Sequence, residues 1–379
     1  MKLNFLNTAM AFVSAIALIG CGGDSDDSLT ENHEAQNVSI LNLRDVDFPV
    51  VSDSVLSGAP TGKTEGKQRE LQLVVRKQFT LSPVELIDER NSEVIFPGSV
   101  LRGDAFLKGE YSPVVIKNPQ NITLSITLQG TWTHDRVTTL PQLSAVRQTI
   151  NNWVSKNATG IDYDKTPSYL TYQSSEVSTA QSFNKVFQTH EKSEVIEGLV
   201  KNTFDFEETT NPMNSKKAVL VKVRQLLYNV SVEPKSSDEW GELVNVGEYE
   251  PLYVSSVDYG RVVHLLIETD LSADSVSKII KGCVDFDYTK VGSSENFSKN
   301  IKTFSKFFSE NNVKELVAGG FVFASGIHNY DNFIKFLDVN NADEYAETSV
   351  PIGYTVRSVK SNRAVEVRSF YTEERFVWE

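Results

Sequence analysis

From Val38 onward, apolar residues recur along this chain in two different periods. Period two predicts strands. QLVVRKQFTLSPVELI (72–87) reads as strand, turn, strand, and VIFPGSVLRG (94–103) and PVVIKNPQNITLSITLQG (113–130) read the same way. KKAVLVKVRQLLYNVSVEP (216–234) is a long strand that stops at Pro234. PLYVSSVDYGRVVHLLIETD (251–270) is a second, or two short ones bent at Gly260. VKELVAGGFVFASG (313–326) is a third, interrupted by Gly319-Gly320, and IGYTVRSVKSNRAVEVRSF (352–370) predicts a hairpin turned at Ser361-Asn362. Helical spacing appears in TLPQLSAVRQTINNWVSK (139–156), with Leu143, Val146, Ile150 and Val154 on one stripe. LSADSVSKIIKG (271–282) and ENFSKNIKTFSKFF (295–308) follow the same period.

One stretch breaks this division. In KGCVDFDYTKVG (281–292), Val284, Phe286 and Tyr288 alternate with Asp285, Asp287 and Thr289, a strand pattern set between two helical ones. Residues 194–206 carry both periods at once. Val195, Ile196, Leu199, Val200 and Phe204 form a helical stripe, while Ile196, Val200, Phe204 and Phe206 share one face of a strand. The pattern leaves two readings open: segments that satisfy two structures, or short amphipathic helices with chance alternation.

Strands and helices are mixed without a βαβ rhythm, which predicts a largely antiparallel α+β fold. The 379 residues are 40% hydrophobic, enough for a sizeable core and two or three domains. A formal charge of −13 argues against a nucleic-acid partner, because a phosphate backbone rewards clustered Lys and Arg. The two cysteines, Cys21 and Cys283, make no disulfide framework.

Catalytic motifs are absent from the sequence. SGAPTGKTEGK (57–67) is one residue short of a phosphate-binding loop and has no helix after it, so it reads as a flexible loop. His33, His134, His190, His264 and His328 are far apart and form no metal-binding spacing. His264, on the second long strand, reads as a satisfied strand residue. There is no G-x-S-x-G. We expect no enzyme activity, no metal and no cofactor.

The N-terminus has Lys2, an apolar stretch from Ala9 to Ile19, and then Leu18-Ile19-Gly20-Cys21. The stretch is short for a membrane span and suits a signal peptide over residues 1–20. The tetrapeptide is similar to a bacterial lipobox, which makes Cys21 the lipidation site. Residues 21–37 are acidic and polar, a disordered tether. They resemble a surface-export signal of Gram-negative bacteria, so the expected location is the outer membrane or cell surface, with release possible.

Six pieces in order resemble one family, the cholesterol-dependent (thiol-activated) cytolysins: VVRKQFTLSPVEL (74–86), EVIFPGSVLRG (93–103), 216–234, LYVSSVDYGRVVHLLIET (252–269), ELVAGGF (315–321) and PIGYTVRSVKSNRAVEV (351–367). The resemblance implies an elongated molecule with a bent, twisted antiparallel central sheet flanked by two helical clusters, about 182–216 and 272–312. It implies a scaffold from 38–50, 92–168, 234–271 and 350–372. A small β connector takes 51–91 and 373–379, and a pore-forming part takes 169–233 and 272–349. Each cluster then refolds as a transmembrane hairpin once monomers join in a ring, and the closed barrel satisfies the backbone in lipid. The inserting residues are Val195, Ile196, Val200, Phe204 and Phe206 in the first hairpin and Val284, Phe286 and Tyr288 in the second. Gly319-Gly320 matches the family's strand hinge, Tyr172 an intermonomer contact, and Tyr259-Gly260-Arg261 a structural motif.

The match has gaps. Nothing resembles the family's tryptophan-rich C-terminal membrane-recognition region; Trp132, Trp153, Trp240 and Trp378 are scattered. Cholesterol is therefore not expected as receptor. Ser174, Asp331 and Val313 stand where the family has an acid, a lysine and an aromatic. The expectation is a pore-forming surface lipoprotein that acts on a target lipid membrane, as a homo-oligomer or in a ring with a longer paralogue that supplies membrane binding. The alternative is a non-lytic adhesin, binding or self-protection module on the same fold.

Overall fold

The computed structural model describes residues 39–379 except 88, 130–133, 164–168, 178–179, 205–217, 288–294, 321–325 and 328. In chain order, the hairpin of β1 (Ser54–Glu65) and β2 (Gln68–Leu81) leads to β3 (Val84–Glu85), β4 (Val100–Leu101) and the one-turn α1 (Gly103–Phe106). Strands β5 (Val115–Lys117), β6 (Ile122–Leu128) and β7 (His134–Thr139) precede α2 (Leu143–Asn157) and β8 (Tyr169–Val177). Then come α3 (Asn184–Phe187), α4 (Ser193–Phe204), β9 (Ala218–Val232), β10 (Glu242–Val244) and β11 (Leu252–Glu268). The chain ends with α5 (Ala273–Asp287), α6 (Glu295–Glu310), β12 (Asn312–Ala318), α7 (Tyr330–Leu337), α8 (Ala342–Glu347), β13 (Val350–Ser358) and β14 (Val367–Trp378).

The long strands β9 and β11 pair with each other and form the spine of a nine-stranded sheet ordered β3-β13-β11-β9-β6-β7. β8 adds to β9, and β12 and β4 add to β11. Every pairing within it is antiparallel. In the half built from β8, β9, β11 and β12, side chains alternate between two covered faces. Val219, Val221, Val223, Val263, Leu265 and Ile267 pack on one side with Val276, Ile280, Phe307, Phe308, Phe333 and Phe336. Ala218, Leu220 and Leu266 pack on the other with Phe183, Phe187, Ile196, Val200 and Phe204. Each fully buried apolar side chain contributes about 1.5–3 kcal/mol. On β9 and β11 the first face is a continuous aliphatic stripe, flanked by Glu315 of β12 opposite Leu265 and by Ser174 of β8 opposite Val221. The second face interrupts its stripe with Lys222, at 3% exposure, and His264, at 2%. Its helices sit on the less adhesive side of the sheet.

The other half of the sheet covers the main core. Leu124, Ile126, Tyr228, Val230, Val257 and Tyr259 meet Val146, Ile150 and Val154 of α2 there. Three of the four residues that the spacing predicts are buried; Leu143 is only half-buried, and Trp153 joins the stripe.

Three expectations are corrected. Residues 57–67 are not a flexible loop: all but the last two lie in β1, paired with β2, and the chain reverses at Gly66-Lys67. Residues 352–370 form a hairpin only next to the turn, where Arg357 bridges Ala364 antiparallel and the Val365 amide donates to the Val356 carbonyl (3.1 Å). After the turn at residues 359–361 the chain leaves the central sheet, and β14 pairs with β2 along its whole length in a three-stranded sheet ordered β1-β2-β14. β14 runs without a break across residues 372 and 373. In 94–103, only Val100–Leu101 is strand; turns and bends at 94 and 96–98 precede it, and Gly103 opens α1. Pro97 and Gly98, the latter at φ 84°, break the extended run.

Candidate functional site

The two helical clusters and the strands that frame them are the candidate site. β8 enters the first cluster and β9 leaves it, with Val177 opposite Ala218. β11 enters the second and β12 leaves it, with Glu268 opposite Asn312. Each cluster therefore replaces the closing loop of an antiparallel pair.

In α4, Ile196, Val200 and Phe204 point into the sheet and are 1% exposed, whereas Val195 is 42% exposed. The alternation seen in 281–287 is overridden: α5 is helical through Asp287, so Val284 and Phe286 lie on a helix. Its packed residues, Val276, Ile280 and Cys283, recur at helical spacing. Phe206, Tyr288 and Cys21, with residues 1–38, lie outside the described residues. Tyr172 sits on β8 opposite Val223 and packs against the aliphatic face. Ser174 Oγ donates to the Ala273 carbonyl at the start of α5 (3.1 Å), and Asp331 is exposed in the first turn of α7.

Gly319 and Gly320 follow β12 with φ of 72° and 71°, a region unfavourable to any residue with a Cβ. A Cβ on Gly319 would meet the carbonyls of Gly260 and Thr348 at 2.8 Å, and one on Gly320 the Phe336 ring at 2.6 Å. At Gly260 it would meet the Gln225 carbonyl at 1.9 Å, where the β9–β11 register shifts by one residue. Tyr259 stacks on Tyr228, centroids 4.8 Å apart. Arg261 is fully buried. Its Nη1 donates to the carbonyls of Phe336 (2.7 Å) and Asp338 (2.8 Å), and its Nε donates to Thr348 Oγ1 (3.1 Å). Gln225 Nε2 donates to the Leu337 carbonyl (2.7 Å). Together these groups satisfy the C-terminal end of α7, which otherwise leaves carbonyls unpaired. Thr348 also accepts from the Gly320 amide through its carbonyl (2.8 Å). The glycine pair, the Tyr259-Gly260-Arg261 motif and α7 thus form one joint.

On the opposite face runs a polar row. Gln173 of β8, Lys222 of β9, His264 of β11 and Leu316 of β12 lie side by side. Lys222 Nζ donates to both oxygens of Glu85 on β3, each 2.7 Å away. Burial pushes the Glu85 carboxyl up and the Lys222 ammonium down, against their mutual attraction. His264 is not a satisfied strand residue: among the described residues its Nε2 has no hydrogen-bond partner. Burial, aided by Lys222, lowers it to about 3. On β12, Lys314 Nζ reaches back to the Phe204 carbonyl at the end of α4 (2.9 Å). No described helix is long and apolar enough to cross a membrane, and no group of three or more His, Cys, Asp or Glu among the described residues is placed to hold a metal ion.

A model of the thiol-activated cytolysin family matches residues 60–374. The chain belongs to this family. It is similar to tetanolysin of Clostridium tetani, 24% identical over 327 residues that take in 80% of this chain and 57% of that protein. It is similar to perfringolysin O of Clostridium perfringens, 23% identical over 337 residues, 80% of this chain and 62% of that one. This cytolysin therefore spans about three-fifths of the length of those relatives. Its fold is that of suilysin from Streptococcus suis, with a TM-score of 0.59 at 22% identity over 85% of this chain and 70% of that one.

The cytolysin's sequence made the clusters, the glycine pair and the Tyr259-Gly260-Arg261 motif visible. It gave no sign of Lys314 or of the Glu85–Lys222 pair. These partners lie 110 and 137 residues apart, and no local pattern joins them.

Proposed function

We propose that this cytolysin is a non-enzymatic, pore-forming protein that oligomerises on a target lipid membrane and inserts its two helical clusters as β-hairpins. One observation carries the reading: each cluster fills the gap between two strands that are already antiparallel neighbours. Straightening residues 178–217 would lengthen β8 and β9, and straightening 269–311 would lengthen β11 and β12, without changing the order of the sheet. Each stretch is long enough for two membrane strands of about 10 residues. The double periodicity of 194–206 and the alternation at 283–289 support the same conversion. Opening β12 about Gly319-Gly320 would free the edge of β11 for a neighbouring copy, as an unpaired edge recruits a strand.

The lipobox-like Leu18-Ile19-Gly20-Cys21 supports attachment at Cys21 to the surface of a Gram-negative cell. Membrane binding is assigned in this reading to a longer paralogue, with cholesterol not the receptor; Trp132, Trp153, Trp240 and Trp378 are scattered and form no tryptophan-rich cluster. The test uses a Cys283→Ala background with single cysteines at Val284, Asp285, Phe286 or Asp287, each carrying an environment-sensitive dye. With vesicles and a longer homologue present, Val284→Cys and Phe286→Cys should report lipid, and Asp285→Cys and Asp287→Cys should report water. Signals that do not alternate would overturn insertion and favour a non-lytic surface module.

A further inference from the structure

The first helical cluster closes over a histidine. His264 lies on β11 between Lys222 of β9 and Leu316 of β12, all pointing to the same face. The Phe187 ring of α3 covers it edge to face, with centroids 4.8 Å apart. The apolar side chains that the cluster buries on this side are Phe183, Val186, Phe187, Ile196, Val200 and Phe204. Its buried polar residues are Ser182, Thr189, His190 and Glu191, and His190 is turned to the Phe106 carbonyl and the Phe48 and Phe106 rings. The ionisable groups around the imidazole come from the strands. Lys222 is its cross-strand neighbour, and both oxygens of Glu85 on β3 are engaged by that lysine. Arg224, next on this face of β9, is paired with Asp258 of β11. Lys314, two residues along β12, is committed to the Phe204 carbonyl. The nearest charges are thus cationic or already neutralised, and among the described residues nothing accepts a proton from Nε2.

We propose that His264 makes the seating of the α3–α4 cluster on the central sheet sensitive to acid, because an imidazolium there can be hydrated only when Phe187 and its helix lift away. Covered, the ring titrates at about 3. Uncovered, it titrates near the ordinary value of about 6.5. The lifted state therefore binds the extra proton. Seating is fully favoured above about pH 6.5 and weakens continuously as pH falls toward 3. At pH 5 the equilibrium shifts toward the lifted state by about 30-fold. Glu85 acts in the opposite direction. Burial raises its carboxyl, so its protonation would favour the covered state. Lys222 thus stands between an acid-release group, His264, and an acid-retention group, Glu85.

This inference concerns how the cluster is held and goes beyond the pore-forming reading. Hydrogen exchange of the full chain in solution tests it without a membrane, so a chain that made no pore would still show the switch. Exchange is followed by mass spectrometry at pH 7.5 and pH 5.0, corrected for intrinsic rates, on peptides covering residues 184–204. The native chain should lose about 30-fold in protection there, with no matching loss in α2. His264→Leu keeps the site apolar, and His264→Gln keeps it neutral if the leucine variant misfolds. Either should hold the loss to about threefold or less. Equal loss in the native and variant chains, no loss in the native chain, or a gain in protection that points to Glu85 would each overturn the proposal.

Discussion

Arg261 brings a permanent charge to a point of zero solvent exposure. It is tolerated because oxygens of Phe336, Asp338 and Thr348 accept its protons. Replacing it by methionine keeps much of the volume but strips these oxygens of their donor. The expected cost is about 3–5 kcal/mol, the range for breaking one side of a buried charged network. Urea unfolding measures it. Arg261→Lys should recover only part of the loss, since one ammonium cannot reproduce a planar fork. Gly260→Ala should also destabilise, because its Cβ would sit 1.9 Å from a backbone oxygen that no rotamer change can move. The glycines were legible in the sequence as breaks in strand patterns. The oxygens that hold Arg261 were not, because they are mostly backbone carbonyls and carry no residue signature.

Among elements, the long runs rich in β-branched and apolar residues were the most legible: β9 and β11 fall within a residue or two of where those runs end. What failed was decided by partners far along the chain. β1 looked like a loop because its residues are almost all exposed and rich in Gly, Thr and Lys, yet β2 supplies a ladder for it. β13 and β14 looked like one hairpin because the chain does turn back at 359–361 and Arg357 bridges Ala364, yet from Val367 on β14 pairs with β2 instead. α5 is a direct contest. Its strand-like tail stays helical because Val276, Ile280 and Cys283 already bury one helical stripe, and a helix once begun extends cheaply. The first cluster has its own tie to the hinge strand through Lys314, which caps the last turn of α4. Lys314→Met should leave the Phe204 carbonyl without that donor and weaken the turn by about 1 kcal/mol. Exchange of the amides near residues 201–204 should then speed up about fivefold while α5 is unchanged. An equal effect on both helices would mean that β12 itself had loosened.

At the scale of the whole molecule, a chain with a net charge of −13 must bring copies of itself together if it is to form a ring. Like charge on every copy opposes that approach. The interaction reaches about 30 Å at 10 mM salt but only about 8 Å at 150 mM, less than the diameter of a helix with its side chains. Assembly on a surface should therefore be limited by charge at low ionic strength and released as salt rises. Coupling Cys21 of the Cys283→Ala chain to a maleimide lipid in neutral phosphatidylcholine vesicles fixes the surface density and removes the need for a receptor. Energy transfer between donor- and acceptor-labelled copies should then increase severalfold between 10 and 150 mM NaCl. Repeating the measurement at the same ionic strength set by sodium sulfate separates screening from specific ion effects, and the two salts should agree. Transfer that is flat or falls with salt would mean that copies meet through complementary charge instead. The ring would then be built on opposed local patches, and the overall acidity would play no part in when it forms.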